Sequence, residues 1–264
     1  MSGYETLRID RDPRGVATLW LARADKHNAM SGAMIEELSL AATELGADDS
    51  VRVVVLAAEG KSFCAGGDLR WMQDQMAADS ETRGREARKL AMALFALNTL
   101  PKPLIGRVQG NAFGGGVGMM SVCDVAIGVT GAKFGLTEVK LGLIPATISP
   151  YVLARMGEDK ARRVFMSARV FDAEEAEKLN LLARVVSADE LDAAIAAEVA
   201  PYLLAAPGAV AESKRLARML GPEITEKIVD ETIWRLVKTW EGAEAKAGIA
   251  AFFEKRDPPW KTGD

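Results

Sequence analysis

Residues 113–124 read FGGGVGMMSVCD, with Gly114, Gly115 and Gly116 in succession and Gly118 close behind. Glycine weakens any regular element it occupies, so such a run needs a reason. The run follows PLIGRVQG (103–110), an apolar stretch with strand character, and precedes a segment that reads as a helix beginning near Gly115. A tight turn between strand and helix leaves the first helical N–H groups without partners and sets the helix dipole behind them. That arrangement suits an anion, or an oxyanion that exists only during reaction. A second turn follows residues 51–58, where GKSFCAGGDL places Gly66 and Gly67 before Asp68. Two such turns could converge on one point, or be two ordinary turns, since turn glycines are common.

The nucleotide readings of the glycine run fail. A phosphate-binding loop of the form GxxxxGK[ST] requires a lysine, and none follows these glycines. A dinucleotide fingerprint, GxGxxG, meets Met119 at its third glycine in one register and Ser121 in the other. The lone His27 has no partner motif for a Ser-His or Cys-His dyad and reads as part of a loop or as structural. Cys64 and Cys123 are too few for a disulfide scaffold or a zinc site and read as buried small side chains.

The 264 residues carry 33 basic and 37 acidic side chains, a formal charge of −4, which argues against nucleic acid as the main partner. The opening MSGYETLRIDRD is neither a signal peptide nor an Arg-rich transit peptide. No apolar run reaches the roughly 20 residues a membrane helix needs. The expectation is a globular, cytoplasmic protein with no membrane partner.

The elements that must hold the two turns are legible as an alternation. GVATLWLA (15–22) reads as a strand, and residues 31–45 as an amphipathic helix starting on Ser31. VRVVVLAA (51–58) has the continuous β-branched character of a strand buried on both faces. Residues 103–110 and 124–129 read as further strands, with a long helix over 81–99 before them. Alternation of this kind predicts an α/β unit with crossover helices. From about residue 158 the pattern is helices separated by short breaks, with no internal repeat and no flexible linker. The helical part is either a packed cap or an assembly surface, and the expected division is an α/β core over 1–200 and a helical region over 201–264.

Six segments, in order, resemble the enoyl-CoA hydratase/isomerase (crotonase) family nearly end to end. They are RADKHNAMS (23–31), GKSFCAGGDL (60–69), VQGNAFGGGVG (108–118), CDVAIG (123–128), AKFGLTEVKLGLIP (132–145) and AAFFEKRDPPW (250–260). The resemblance implies a crotonase (ClpP-like) α/β fold of repeated ββα units with a C-terminal helical trimerisation region. It implies a homotrimer or a hexamer, an acyl-CoA thioester as substrate, and no metal or separate cofactor, CoA arriving as part of the substrate. The backbone N–H groups of Gly67 and Gly115 match the family's oxyanion hole, and Glu138 its acid/base. Lys26, with the backbone around Ala65, Asp68 and Leu69, matches CoA-binding positions, and Asp68 itself reads as a turn-stabilising carboxylate. Phe252 and Lys255 match positions that contact CoA, in family structures often from a neighbouring subunit. Trp71, Phe113, Gly118 and Met119 are candidates for the acyl pocket, although such side chains are more often plain core.

One departure limits the functional reading. Hydratases of the family usually hold the attacking water between two glutamates, and Gly118 stands where the first belongs. Glu138 is present, and its neighbours Phe134, Leu136, Val139 and Leu141 predict a buried carboxyl with a raised pKa, suited to proton transfer near neutrality. A single carboxylate suits an isomerase that moves a β,γ double bond to α,β. Ala146-Thr147-Ile148-Ser149-Pro150, however, is similar to bacterial methylglutaconyl-CoA and isohexenylglutaconyl-CoA hydratases. That resemblance implies hydration of a 3-methyl-branched enoyl-CoA, with the bare Gly118 expected to enlarge the cavity beside the substrate's Cβ. A distal carboxylate on such a substrate would want a cation, for which Lys140 and Arg155 are the candidates. An acyl-CoA-binding protein without turnover is the third reading.

Overall fold

The computed structural model describes residues 3–261. The strands are β1 (Leu7–Arg11), β2 (Val16–Leu21), β3 (Val53–Ala58), β4 (Ser62–Cys64), β5 (Leu104–Val108), β6 (Asn111–Phe113), β7 (Val125–Val129), β8 (Lys133–Gly135), β9 (Val170–Asp172) and β10 (Arg184–Val186). The first helices are α1 (Gly32–Ala47), α2 (Leu69–Ala77), α3 (Ser80–Thr99), α4 (Gly115–Val122) and α5 (Ser149–Phe165). Then come α6 (Ala173–Lys178), α7 (Leu191–Leu204), α8 (Pro207–Leu220), α9 (Glu226–Glu241) and α10 (Ala243–Phe253). Short 3-10 turns cover Ala24–Lys26 and Glu138–Leu141.

Every side chain of β3 is buried, because this strand lies inside a sheet covered on both faces. The six-stranded sheet runs β1-β2-β3-β5-β7-β10, antiparallel only between β1 and β2. A second sheet, β4-β6-β8-β9, is built from strands of three residues each. The chain visits both sheets in turn: β3 then β4, β5 then β6, β7 then β8, followed each time by helical structure. This is the ββα repeat that the family resemblance implied.

The helices start where side chains can serve their unpaired amides. Ser31 accepts from the Met34 N–H at 3.3 Å, and Asp79 from the Thr82 N–H at 2.7 Å; caps of this kind contribute about 1 kcal/mol. α9 lays Val229 and Ile233 on Ala87 and Ala91 of α3. α10 packs Ala245 and Ile249 with Trp240 against Leu143, which covers the 3-10 turn beginning at Glu138.

Several expectations need correction. The strand expected over 103–110 is β5, but the separate strand β6 that follows it at Asn111, in the small sheet, was not expected. The region after residue 158 is not purely helical: β9 and β10 lie in it, too short to show a period. Residue 200 falls inside α7, so it is not a boundary, and the first break beyond it follows Leu204.

Gly118 is buried in α4 against α5's entry. A Cβ there would fall 2.9 Å from Ile148 Cβ and 3.6 Å from Leu94 Cδ1, the former inside any normal contact distance. We expect Gly118→Ala to lose about 1–3 kcal/mol by overpacking, and to lose less in an Ile148→Ala background. Urea denaturation of the four-member mutant cycle measures this, and a Gly118→Ala protein as stable as its parent would contradict the packing.

Candidate active site

The small sheet sets the geometry of the site. β4, β6 and β8 are parallel neighbours, with Cys64 paired to Ala112 and Ala112 to Phe134. Three residues beyond Cys64 is Gly67, three beyond Ala112 is Gly115, and four beyond Phe134 is Glu138. Adjacent strands lie about 4.8 Å apart, so the three segments leave the sheet side by side at its C-terminal edge, where α/β proteins place their ligands.

The glycine turns then close on each other. Gly66 takes φ 97°, and a Cβ on it would sit 3.2 Å from the Phe113 carbonyl oxygen. A Cβ on Gly116 would sit 2.6 Å from the Cys64 carbonyl oxygen. Met30 ties the two turns: it pairs with Gly67 in a parallel bridge, and its Sδ lies 3.3 Å from where a Gly115 Cβ would be. Gly114, at φ 49° and ψ −118°, would bring a Cβ to 3.0 Å from Glu138 Oε1. The side-chain positions of the triple glycine therefore point at protein atoms. The run is there first so that two turns and a carboxylate can pack together.

The parallel bridge uses the Gly66 carbonyl and the Asp68 N–H, both with Met30, at 2.8 and 3.0 Å. It leaves the Gly67 N–H unused. Gly115 is the first residue of α4, whose opening amides have no intrahelical partner. Among the described residues neither N–H donates a hydrogen bond within the protein.

Glu138 is half-buried as a residue, but its Oε2 is sealed and has no hydrogen-bond partner. Burial pushes its pKa up to about 7, opposed only by a hydrogen bond from its own backbone N–H. A carboxyl held there can both take and return a proton near neutrality. The bare Gly118 does not open a cavity next to it, because Ile148 fills the space, and the expectation of an enlarged cavity is overturned.

The remaining candidates divide. Asp68 caps α2, accepting from the Arg70 and Trp71 N–H groups, and pairs with Arg23 at 2.9 Å. Burial alone would raise its pKa, but Arg23 and the two amides hold it below the usual carboxylate range. It stabilises the turn, as expected. Trp71 packs its indole edge 3.8 Å from the Cβ position of Gly67, and Phe113 lies against Gly135. Met119 is fully buried in the main core. Lys26, Ala65 and Leu69 are exposed on the same loops as Gly67 or its bridge partner, and Phe252 and Lys255 are exposed at the end of α10. His27 has its Nδ1 3.2 Å from Ser62 Oγ and joins no catalytic dyad. Both thiols are buried, which pushes them up to about 12.

Of the two candidate cations, Arg155 is engaged away from the site. Lys140 is exposed. Arg155 donates to the Ser121 and Asp124 carbonyls, both at 3.0 Å, and faces a cavity of about 1220 Å³ between α5, α7 and α8. That cavity holds none of Gly67, Gly115 and Glu138. Its buried charges are satisfied internally, Lys214 lying 2.7 Å from Asp124 and 3.1 Å from the Lys102 carbonyl. The unpartnered amides and carboxyl lie instead at the small sheet. Sequence reasoning missed Gln75, and it named Ile148 only within the 146–150 segment; that both are buried is visible only in the fold.

Comparison with known proteins accords with this geometry. The family model for enoyl-CoA hydratase/isomerase matches residues 11–263. The crystal structure of an enoyl-CoA hydratase from Shewanella pealeana is 39% identical, with a TM-score of 0.80 over 97% of this chain and 96% of the other. That of an enoyl-CoA hydratase from Mycobacterium avium is 30% identical, with a TM-score of 0.87 over 97% and 99%. An enoyl-CoA hydratase of Alternaria alternata is 34% identical over 95% of this chain and 81% of its own. A match over this span, on a sheet that aligns two glycine turns with one sealed carboxyl, shows that the chain is an enzyme of the enoyl-CoA hydratase/isomerase family.

Proposed function

We propose that this enzyme hydrates an α,β-unsaturated acyl-CoA through an enolate, with Glu138 as its one acid/base group. The observation that carries the reading is the juxtaposition of a sealed, unpartnered carboxyl with two unused backbone amides. The Gly67 and Gly115 N–H groups would hold the thioester oxygen. As the water oxygen bonds to Cβ, Glu138 takes a water proton, and the electron pair of the double bond shifts through Cα so that the charge settles on the thioester oxygen. Collapse of the enolate returns the proton from Glu138 to Cα, giving syn addition. Preorganised amides stabilise the charge only as it develops, and one such donor is worth about 3–4 kcal/mol.

Lys26, the Ala65–Leu69 backbone, Phe252 and Lys255 are our candidates for holding CoA. The preference for a 3-methyl-branched chain rests on the likeness of residues 146–150 to methylglutaconyl-CoA hydratases, since Ile148 leaves no widened cavity to support it. Leu204, Leu216, Met219 and Leu220 stand exposed around α8, which supports assembly of this region into a trimer or hexamer. A second reading, Δ3,Δ2 isomerisation, is favoured by the lack of room for a second acid. There Glu138 would remove the Cα proton and deliver it to Cγ.

Paired assays separate the two. Hydration consumes the conjugated absorbance of crotonyl-CoA or 3-methylglutaconyl-CoA, whereas isomerisation of a β,γ-enoyl-CoA creates it. Glu138→Gln should lower kcat about 100-fold or more in either case, and unchanged turnover would end the assignment.

The pH dependence has a fixed sign. Hydration needs the Glu138 carboxylate, so kcat/KM should rise with pH through about 7, and a falling limb there would oppose the assignment.

Stability should run the other way. The folded protein keeps a proton on Glu138 up to about 7, whereas an unfolded glutamate releases it near 4.3. The stability this contributes is complete below about 4.3 and is lost as pH rises through 7, by about 3 kcal/mol. Glu138→Gln should therefore raise Tm at pH 8 and leave it nearly unchanged at pH 4.

A further inference from the structure

Four sealed side-chain polar atoms among the described residues have no hydrogen-bond partner: Trp71 Nε1, Gln75 Oε1, Gln109 Oε1 and Glu138 Oε2. Glu138 is the acid of the proposed reaction. Gln109 is anchored by its other amide atom, which donates to the Gly60 and Ser62 carbonyls at 3.2 Å. Trp71 and Gln75 remain, and they stand one turn apart on the same face of α2. Gln75 is 4% exposed and is the only buried residue of that helix. Neither end of its carboxamide makes a hydrogen bond among the described residues.

Their position is bracketed by the site. The indole of Trp71 lies between Gly67 and the start of α1, with its Cδ1 3.9 Å from the Cβ position of Gly32. Behind Gln75, Arg83 donates to the Gln75 and Ala78 carbonyls at 3.0 and 2.6 Å. Its guanidinium lies 5.5 Å from the ring of Trp240. Trp240 in turn packs with Leu143 in the layer over the Glu138 turn. The helix that carries the two unpartnered groups therefore starts at the Gly67 turn, and the Arg83 that binds its last turn adjoins the layer that covers Glu138.

An all-hydrocarbon acyl chain would call for leucine at 75, since a sealed amide oxygen without a hydrogen-bond partner costs folding stability and gives such a chain nothing. We propose that Trp71 and Gln75 form a subsite for an oxygen function, hydroxyl or carboxylate, carried on the acyl chain of the enoyl thioester. The indole N–H donates to that oxygen, and the carboxamide donates through its nitrogen to a carboxylate or accepts through its oxygen from a hydroxyl. This rests on the acyl-CoA reading above. A site built to hydrogen-bond a substrate oxygen rejects the analogue that lacks it far more strongly than an apolar pocket rejects an extra methylene.

The test uses the full-length protein, its Gln75→Leu and Trp71→Phe variants, and matched plain, ω-hydroxy and ω-carboxy enoyl-CoAs of four and six carbons. Steady-state kinetics and Tm are read on all three proteins. The expected result is a parent that prefers an oxygen-bearing substrate, the hydroxy or the carboxy arm naming the group. Gln75→Leu should then lower kcat/KM for that substrate at least about tenfold more than for the plain chain, with Tm equal or higher. Trp71→Phe should shift the same ratio in the same direction. Equal losses on all substrates, no loss, or a lower Tm for Gln75→Leu would overturn the subsite and make Gln75 a structural residue. A parent that turns over no enoyl-CoA would overturn the acyl-CoA reading and the subsite with it, a different result from normal turnover without selectivity.

Discussion

The site depends on how closely a polypeptide backbone can approach another when no Cβ stands between them. At Gly66 and Gly116 the neighbour is a main-chain carbonyl of the opposite turn, which cannot swing aside as a long side chain can. At Gly115 it is Met30, whose own backbone is paired to the opposite turn. Each glycine therefore removes one obstacle to the same contact. The cost falls on α4, which contains Gly115, Gly116 and Gly118 within eight residues and loses about 0.5–1 kcal/mol at each relative to alanine. Burial offsets that loss, since every residue from Gly116 to Val122 is buried. α4 is a helix because of where it packs rather than what it is made of.

The same packing explains why the chemistry narrows to one carboxyl. Glu138 lies beside Gly114 at the start of α4, where the helix dipole favours a carboxylate. Its pKa is raised all the same, so burial of the charge dominates the local field. A second carboxyl on α4 at position 118 would meet Ile148 and Leu94 instead of water. The missing acid and the bulky residue opposite are one structural fact. Restoring the acid alone would bury a charge against two aliphatic side chains, which costs more than it returns.

Much of this was legible in the residues. The central strands, α1 from its Ser31 cap, and a helix beginning at Gly115 all follow from patterning over five or more residues. The burial of Glu138 follows from its apolar neighbours. What escaped is what short strands hide. β4, β6, β8 and β9 have three residues each, too few to show alternation, yet they build the sheet that aligns the site. The reason for the triple glycine was also only half visible: its unpaired amides could be inferred, but not that Met30, Cys64 and Glu138 occupy its side-chain positions. Gln75 gave no signal, because an isolated glutamine on an exposed-looking helix is ordinary until its burial is known.

The absence of a visible repeat in the sequence is the more instructive gap. Gly67, Gly115 and Glu138 share no motif, but each follows the end of the short strand of its own ββα unit by two or three residues. The repeat is one of position. Each unit carries its chain from the large sheet to the small one and releases it at the same edge, and parallel pairing in the order β4-β6-β8 sets those exits next to one another. Two exits release into helices: Gly115 opens α4, where its amide has no intrahelical partner, and Gly67 precedes α2, whose first turn Asp68 caps. The third releases into a 3-10 turn that begins on the carboxyl itself. Two free amides and the sealed Glu138 carboxyl thus come together by register, without a loop long enough to wander. A single shift of pairing between β6 and β8 would separate the amides from Glu138 while leaving every hydrophobic residue of the large sheet in place.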